Sequence, residues 1–100
     1  MEQKNTLMGV LSYLGPLVII PLVTTKDDPF VKFHIKQGLV LLVIEVIVYA
    51  ISTALWQFWG IYRLIHLVLV IFSIIGIINV IQGKEKELPL LGSFAHSFKI

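Results

Sequence analysis

The chain has no cysteine, so it can hold no disulfide, no thiol nucleophile and no thiolate metal ligand. It is also short of charge. Asp, Glu, Lys and Arg make up 14% of its 100 residues, against about 25% in a soluble domain. So few charges cannot wet the surface of a globular protein, which excludes an ordinary water-soluble domain. There is no phosphate loop, dinucleotide fingerprint or nucleophile elbow. The histidines His34, His66 and His96 stand thirty or more residues apart, without the spacing of a metal site. No catalytic, cofactor-binding or metal residue is therefore assigned, no cofactor is expected, and the chain does not read as an enzyme. The net charge of +2 and a pI near 9.1 are basic. The basic residues are scattered between hydrophobic blocks rather than gathered in a stripe, so nucleic acid is not an expected partner.

What the chain has is apolar surface. Hydrophobic residues make up 57% of it and the mean hydropathy is +0.92. Three apolar segments, at about 7–23, 38–55 and 61–81, each approach the ~20 residues that cross ~30 Å of hydrocarbon as a helix. They lack the alternation of barrel strands, and helices apolar on all sides have no solvent face. The expected fold is all-α: a polytopic membrane protein with three transmembrane helices, forming a single integral membrane domain over residues 1–100. The N-terminus carries Glu2 beside a single Lys4, and no small-residue cleavage site follows, so the first segment reads as a retained span rather than a signal peptide. Gly15-Pro16 falls inside it and predicts a kink near Ser12.

Asp28-Pro29 reads as a helix N-cap followed by proline at the first helical position. A helix from there to about Leu55 would be ~40 Å long, more than the hydrocarbon thickness. Residues 29–37 are therefore expected in the headgroup zone as an extension of the second helix, with Phe30 and Phe33 in lipid and Lys32 and Lys36 at phosphates. The tail over 88–99, with Leu91, Phe94, Ala95 and Phe98 at helical spacing, is too short to span and reads as an interfacial segment. With three spans, Lys26, Lys32, Lys36, Lys84, Lys86 and Lys99 fall on one side and Lys4 and Arg63 on the other. The positive-inside rule then puts the N-terminus outside and the C-terminus in the cytoplasm of an inner (plasma) membrane. Trp56, Phe58, Trp59 and Tyr62 form an aromatic belt at the outer interface.

Glu45 sits near the middle of the second span, where an acid costs roughly 2.5–3.5 kcal/mol to insert. Gly38, Glu45, Tyr49, Ser52 and Trp56 share one helical face, and Arg63, His66, Ser73, Gly76, Asn79 and Gly83 form a matching stripe on the third span. If the stripes meet, Glu45 and His66 are within hydrogen-bond reach, while Arg63 snorkels to the headgroups. Gly9, Ser12, Tyr13 and Pro16 supply a face from the first segment. The candidates for function or helix packing are Glu45, His66, Arg63, Tyr49 and Asn79. Two explanations of Glu45 stand side by side: it holds the bundle together, or with His66 it forms a proton-binding or polar-substrate site.

The run from Lys26 to Gly38, K-x-x-P-F-V-K-F-H-x-K-Q-G, resembles the F-(V/I)-(R/K)-F-H-x-x-Q signature of small bacterial membrane proteins. These are related to the import component of the plastid inner-envelope protein translocon. Tyr13-Leu14-Gly15 and Pro21 before the signature, and Gly83-Lys84 with Leu88-Pro89-Leu90-Leu91-Gly92 after it, are similar to the family's flanking elements. The resemblance implies a compact helical membrane domain and, through the plastid members, a part in protein translocation. Those members have four spans and this chain has room for three. Within the signature residues Phe30, Phe33, His34, Gln37 and Gly38, only His34 and Gln37 are carried over, as family-marking positions. The expected function is thus a non-enzymatic translocation-related or scaffolding subunit. A small proton-coupled transporter or channel-like oligomer centred on Glu45, or a lipid-binding or regulatory module, are the alternatives. The expected partners are the lipid bilayer and, beyond it, further copies of the chain or other membrane subunits.

Overall fold

A computed structural model describes residues 3–25, 27–88 and 92–97. The described residues form helices and turns, with no strand among them. Helix α1 spans Gln3–Leu11, α2 Ile19–Thr24, α3 Pro29–Ala54 and α4 Trp59–Ile81. Short 3₁₀ turns precede α2 (Gly15–Val18) and α4 (Trp56–Phe58), and another covers Gly92–Ser97.

The capping chemistry of α3 is the one expected. Asp28 Oδ1 accepts from the backbone N–H of Phe30 at 2.9 Å and of Val31 at 3.3 Å, and Pro29 occupies the first turn, where its missing N–H goes unused. At 26 residues α3 is ~39 Å long. Helix α4 is stopped by Gly83, whose φ of 71° only glycine adopts readily. Lys84 N–H reaches back to the Asn79 carbonyl at 2.8 Å and Gly83 N–H to Val80 at 3.0 Å, closing a Schellman motif. The two long helices are apolar enough to cross a membrane, with mean hydropathies of 2.0 and 2.8. Only 28% and 22% of their apolar stretches are buried, unlike the core helices of a soluble protein.

The first apolar segment differs from expectation. It is not one helix over 7–23 but a helical hairpin. Ser12 Oγ turns back onto the Met8 carbonyl at 3.0 Å, ending α1. Gly15 then takes a left-handed conformation, φ 63°, and Pro16 opens the return turn. What reads as a kink is a reversal of direction. Met8 and Leu22 both pack on the Val18, Val31 and Ile35 cluster, and the Met8 sulfur lies 3.9 Å from Thr24 Oγ1, so α2 runs back along α1. Nine residues of α1 rise only ~13 Å, less than half the hydrocarbon thickness.

The hairpin lies along the first half of α3 and the last half of α4. Gly9 faces Val80, Gly76 faces the Tyr13 ring, and Gly38 faces the Ser12 carbonyl. Val18, Val31 and Ile35 form one core beneath it, and Tyr13, Leu41, Leu69, Val80 and Leu88 form another. Beyond Glu45, among the described residues, only the connecting turn Trp56–Phe58 adjoins the two long helices. Val46, Ile47 and Ile51 on α3 and Leu64, Leu67 and Ile71 on α4 are exposed. The stripe on α3 is accordingly covered only in part: Gly38 and Ser52 are buried, but Tyr49 is 51% and Trp56 77% exposed.

The tail also departs from the expected amphipathic helix. Residues 92–97 form a 3₁₀ turn with Ala95 buried and Phe94 exposed, so those two do not share a face. The 3₁₀ repeat of three residues per turn does not keep the spacing of an α-helical face. Leu91 and Phe98, the other members of that face, lie outside the described residues, as do Lys26, Lys99, Pro89 and Leu90.

A Cβ added at Gly38 would collide with the Ser12 backbone, which cannot swing aside as a side chain does. Gly38→Ala is expected to lower stability by about 1–3 kcal/mol, read as the unfolding midpoint in detergent. Gly60→Ala, with nothing within 4 Å of the added methyl, is expected to leave it unchanged. Equal midpoints for the two variants would mean that the hairpin does not seat on α3.

Candidate functional site

Two polar clusters stand out, one at each depth of the helix pair. The first is built around His34, on the second turn of α3. The Asp28 cap fixes where α3 starts, and the helical period then turns position 34 toward the hairpin. The imidazole is completely buried. Its Nε2–H donates to the Lys84 carbonyl at 2.9 Å, since a carbonyl can only accept. Nδ1 is then the acceptor for the Tyr13 hydroxyl at 2.6 Å. Phe30, Phe33 and Tyr13 present ring edges at centroid distances of 4.7, 5.1 and 5.5 Å. One turn further on, buried Gln37 accepts the Leu88 N–H through Oε1 at 3.0 Å. His34 and Gln37 thus join the hairpin, α3 and the segment after α4. The two family-marking positions are fastenings: each spends its polar atoms on holding another part of the chain against α3, and Gln37 also borders a cleft of about 230 Å³.

The second cluster is Glu45 with His66 and Tyr62. The expected contact is present: His66 Nδ1 lies 2.7 Å from Glu45 Oε1. The same oxygen accepts the Tyr62 hydroxyl at 2.9 Å, and the Tyr62 and His66 rings stack at 5.9 Å. Tyr62 was legible only as part of the aromatic belt. Its spacing of four from His66 is the signal that places both on one face of α4. Tyr49 packs edge-on against Tyr62 and Trp59 at 5.9 and 6.1 Å. The cluster is not sealed between helices. The Glu45 side chain is 26% and that of His66 53% exposed. Both residues border a cleft of about 530 Å³ that runs under the hairpin tip, past Tyr13, Pro16, Leu41 and Ser73. A carboxylate, an imidazole and a phenol sharing one oxygen can hold or relay a proton.

The other candidates separate. Asn79 is buried on α4 and its amide donates to the Lys86 carbonyl at 3.3 Å, a packing role. Arg63 is exposed, away from Glu45's hydrogen bonds. Among the described residues no group of three or more His, Asp or Glu side chains could hold a metal ion.

This architecture is that of a small helical membrane protein, and comparison gives it a family. Residues 4–95 match the magnetosome magnetite crystal formation protein family, MamF/MmsF, and the chain belongs to that family. Relatives include magnetosome protein MmsF of Paramagnetospirillum magneticum, 53% identical over 38 residues, which are 38% of this chain and 36% of the relative. Magnetosome protein MamF of the same organism is 55% identical over 38 residues, 38% of this chain and 34% of the relative. MamF of Magnetospirillum gryphiswaldense is 53% identical over a stretch of the same length and shares. The chain therefore spans about a third of the length of the curated relatives it matches. No solved structure matches. None of these matches is to the plastid import component, so the loop signature places the chain among small bacterial membrane proteins and no further.

The two clusters are expected to differ in what they hold together. His34→Ala removes a buried ring and strands the Tyr13 hydroxyl and the Lys84 carbonyl, a loss of about 3–5 kcal/mol. Glu45→Ala breaks hydrogen bonds on a half-open face, about 1 kcal/mol in a membrane helix pair. Thermal unfolding in detergent would rank them, and the reverse order would make Glu45 the clasp of the bundle.

Proposed function

We propose that the chain is a non-enzymatic membrane component of magnetite crystal formation, with two membrane crossings and a re-entrant N-terminal hairpin. The observation that carries the role is the family match over residues 4–95. Support for two crossings comes from α3 and α4 being the helices long and apolar enough to span, while α1 and α2 fold back on each other. In this arrangement the N- and C-terminal ends share a side. Every Lys and Arg except Arg63 then lies on that side, a stricter positive-inside distribution than three spans allow. On this reading the N-terminus lies in the cytoplasm, whereas three spans would put it outside.

A scaffolding role is supported by buried His34, Gln37 and Asn79, whose polar atoms serve to hold the helices, the hairpin and the segment after α4 together. A proton-binding carrier is the second reading, favoured by Glu45, His66 and Tyr62 meeting beside a cleft. One helix pair encloses no pore, so passage of any solute would need further copies or other subunits. Protein translocation is not proposed, since its support was the loop signature.

Two experiments test these readings. Cysteines placed singly at Asn5, Gln57 and Ser93 in this cysteine-free chain should leave only position 57 open to an impermeant thiol reagent added outside intact cells. Labelling at 5 with 93 protected would restore three crossings. For the role, the chain should restore crystal size and shape in a magnetite-forming bacterium deprived of its own family member. Restoration by Glu45→Gln as well supports the scaffold. Loss with Glu45→Gln at equal protein level supports the carrier, and no restoration by the unaltered chain at normal level would sink both.

A further inference from the structure

A second cleft, of about 230 Å³, opens at the other end of the molecule, between the first turns of α3 and the tail. Lys32, Phe33, Lys36, Glu85, Ala95 and His96 line it. Its charges are unusually free. Asp28 is occupied at the α3 cap, and His96 Nε2 is bound to Glu87 Oε2 at 2.8 Å. Lys32, Lys36 and Glu85 line the same cleft, yet among the described residues none of the three is in an ion pair. Two cations and one carboxylate are held apart around a space that has room for several water-sized groups.

Its depth matters as much as its charge. Helix α3 exceeds the hydrocarbon thickness by ~9 Å, and Lys32 and Lys36 lie ~4.5 and ~10 Å below its start. They therefore sit where headgroup phosphates meet acyl chains. Phe33 stands between them in sequence and borders the cleft on its apolar side, while Ala95 is buried against α3's first turns.

The geometry points to a binding site for a phospholipid with a phosphoethanolamine headgroup: phosphate on Lys32 and Lys36, ammonium on Glu85, acyl chains along Phe33. A glycerol headgroup brings no cation to Glu85 and leaves its charge unanswered. A choline headgroup brings a cation without an N–H to donate. Ethanolamine answers all three groups. The inference rests on the membrane placement proposed above but not on the crystal-forming role, and its test reads bound lipid rather than crystals.

The full chain would be equilibrated with vesicles of equal parts phosphatidylethanolamine, phosphatidylglycerol and phosphatidylcholine, extracted in mild detergent, and weighed intact by native mass spectrometry. Phosphatidylethanolamine adducts should exceed the other two several-fold. The double variant Lys32→Gln, Lys36→Gln should lose the excess. Glu85→Gln should retain lipid while shifting the preference toward phosphatidylglycerol, an exchange that a folding defect would not produce. Arg63→Gln, at the opposite end, should bind as the unaltered chain does. Equal adducts of the three lipids, an unchanged preference in both cleft variants, or an equal loss with Arg63→Gln would overturn the site. Displacement by soluble glycerophosphoethanolamine at matched concentration would make it a site for free headgroups and overturn the lipid assignment.

Discussion

A buried imidazole with a partner on each nitrogen fixes the rest of this structure. His34 holds the Tyr13 hydroxyl on one side and the Lys84 carbonyl on the other, and those residues come from opposite ends of the chain. Burying a polar group of this size is tolerable only when every donor and acceptor is met. The requirement dictates where the hairpin tip must lie and where the chain must go after α4. The close contact of Ser12 with Gly38 follows from the first condition, and the left-handed Gly83 from the second. Gln37 repeats the arrangement one turn along by holding the backbone of Leu88. Adjacent turns of α3 thus organise most of the packed half of the molecule.

The other half is organised by different means. Past Glu45 no further helix among the described residues covers the pair, and α3 and α4 present apolar side chains outward. In water such a pair would expose far too much hydrocarbon; in lipid that surface is already solvated. What joins the helices there is a shared carboxylate oxygen and the ring contacts of Tyr49 on α3 with Trp59 and Tyr62 on α4. In the packed half His34 and Gln37 are bonded and enclosed, whereas in the open half Glu45 and His66 are bonded and accessible. This contrast separates the positions that hold the fold from those available for chemistry.

Much of this was legible in the sequence, for identifiable reasons. Asp28-Pro29 announces α3 because capping is local chemistry, written in adjacent residues. Glu45 and His66 meet as expected because both stripes follow the helical period, and an acid at that depth needs a partner. The first segment misleads because hydropathy counts apolar residues without registering direction. Its reversal depends on one glycine adopting φ 63° and on a contact that forms only once α3 and α4 are in place. Tyr13 could not be paired with His34 from spacing, since the residues between them include that reversal. In the tail, the apolar spacing of an α-helix is carried by a segment whose buried contacts, at Leu88 and Ala95, are set by α3 instead.

The hairpin stops partway along the long helices, so the molecule is not a cylinder. A cut through the end that holds Pro29 meets four lengths of helix, α1 to α4, whereas a cut near Trp56 meets two. In a bilayer the protein therefore claims more area in one leaflet than in the other. Lipids can accommodate a single such wedge by local tilting. Many of them side by side, all facing the same way, relieve the imbalance by bending the sheet, with the broader end on the convex surface.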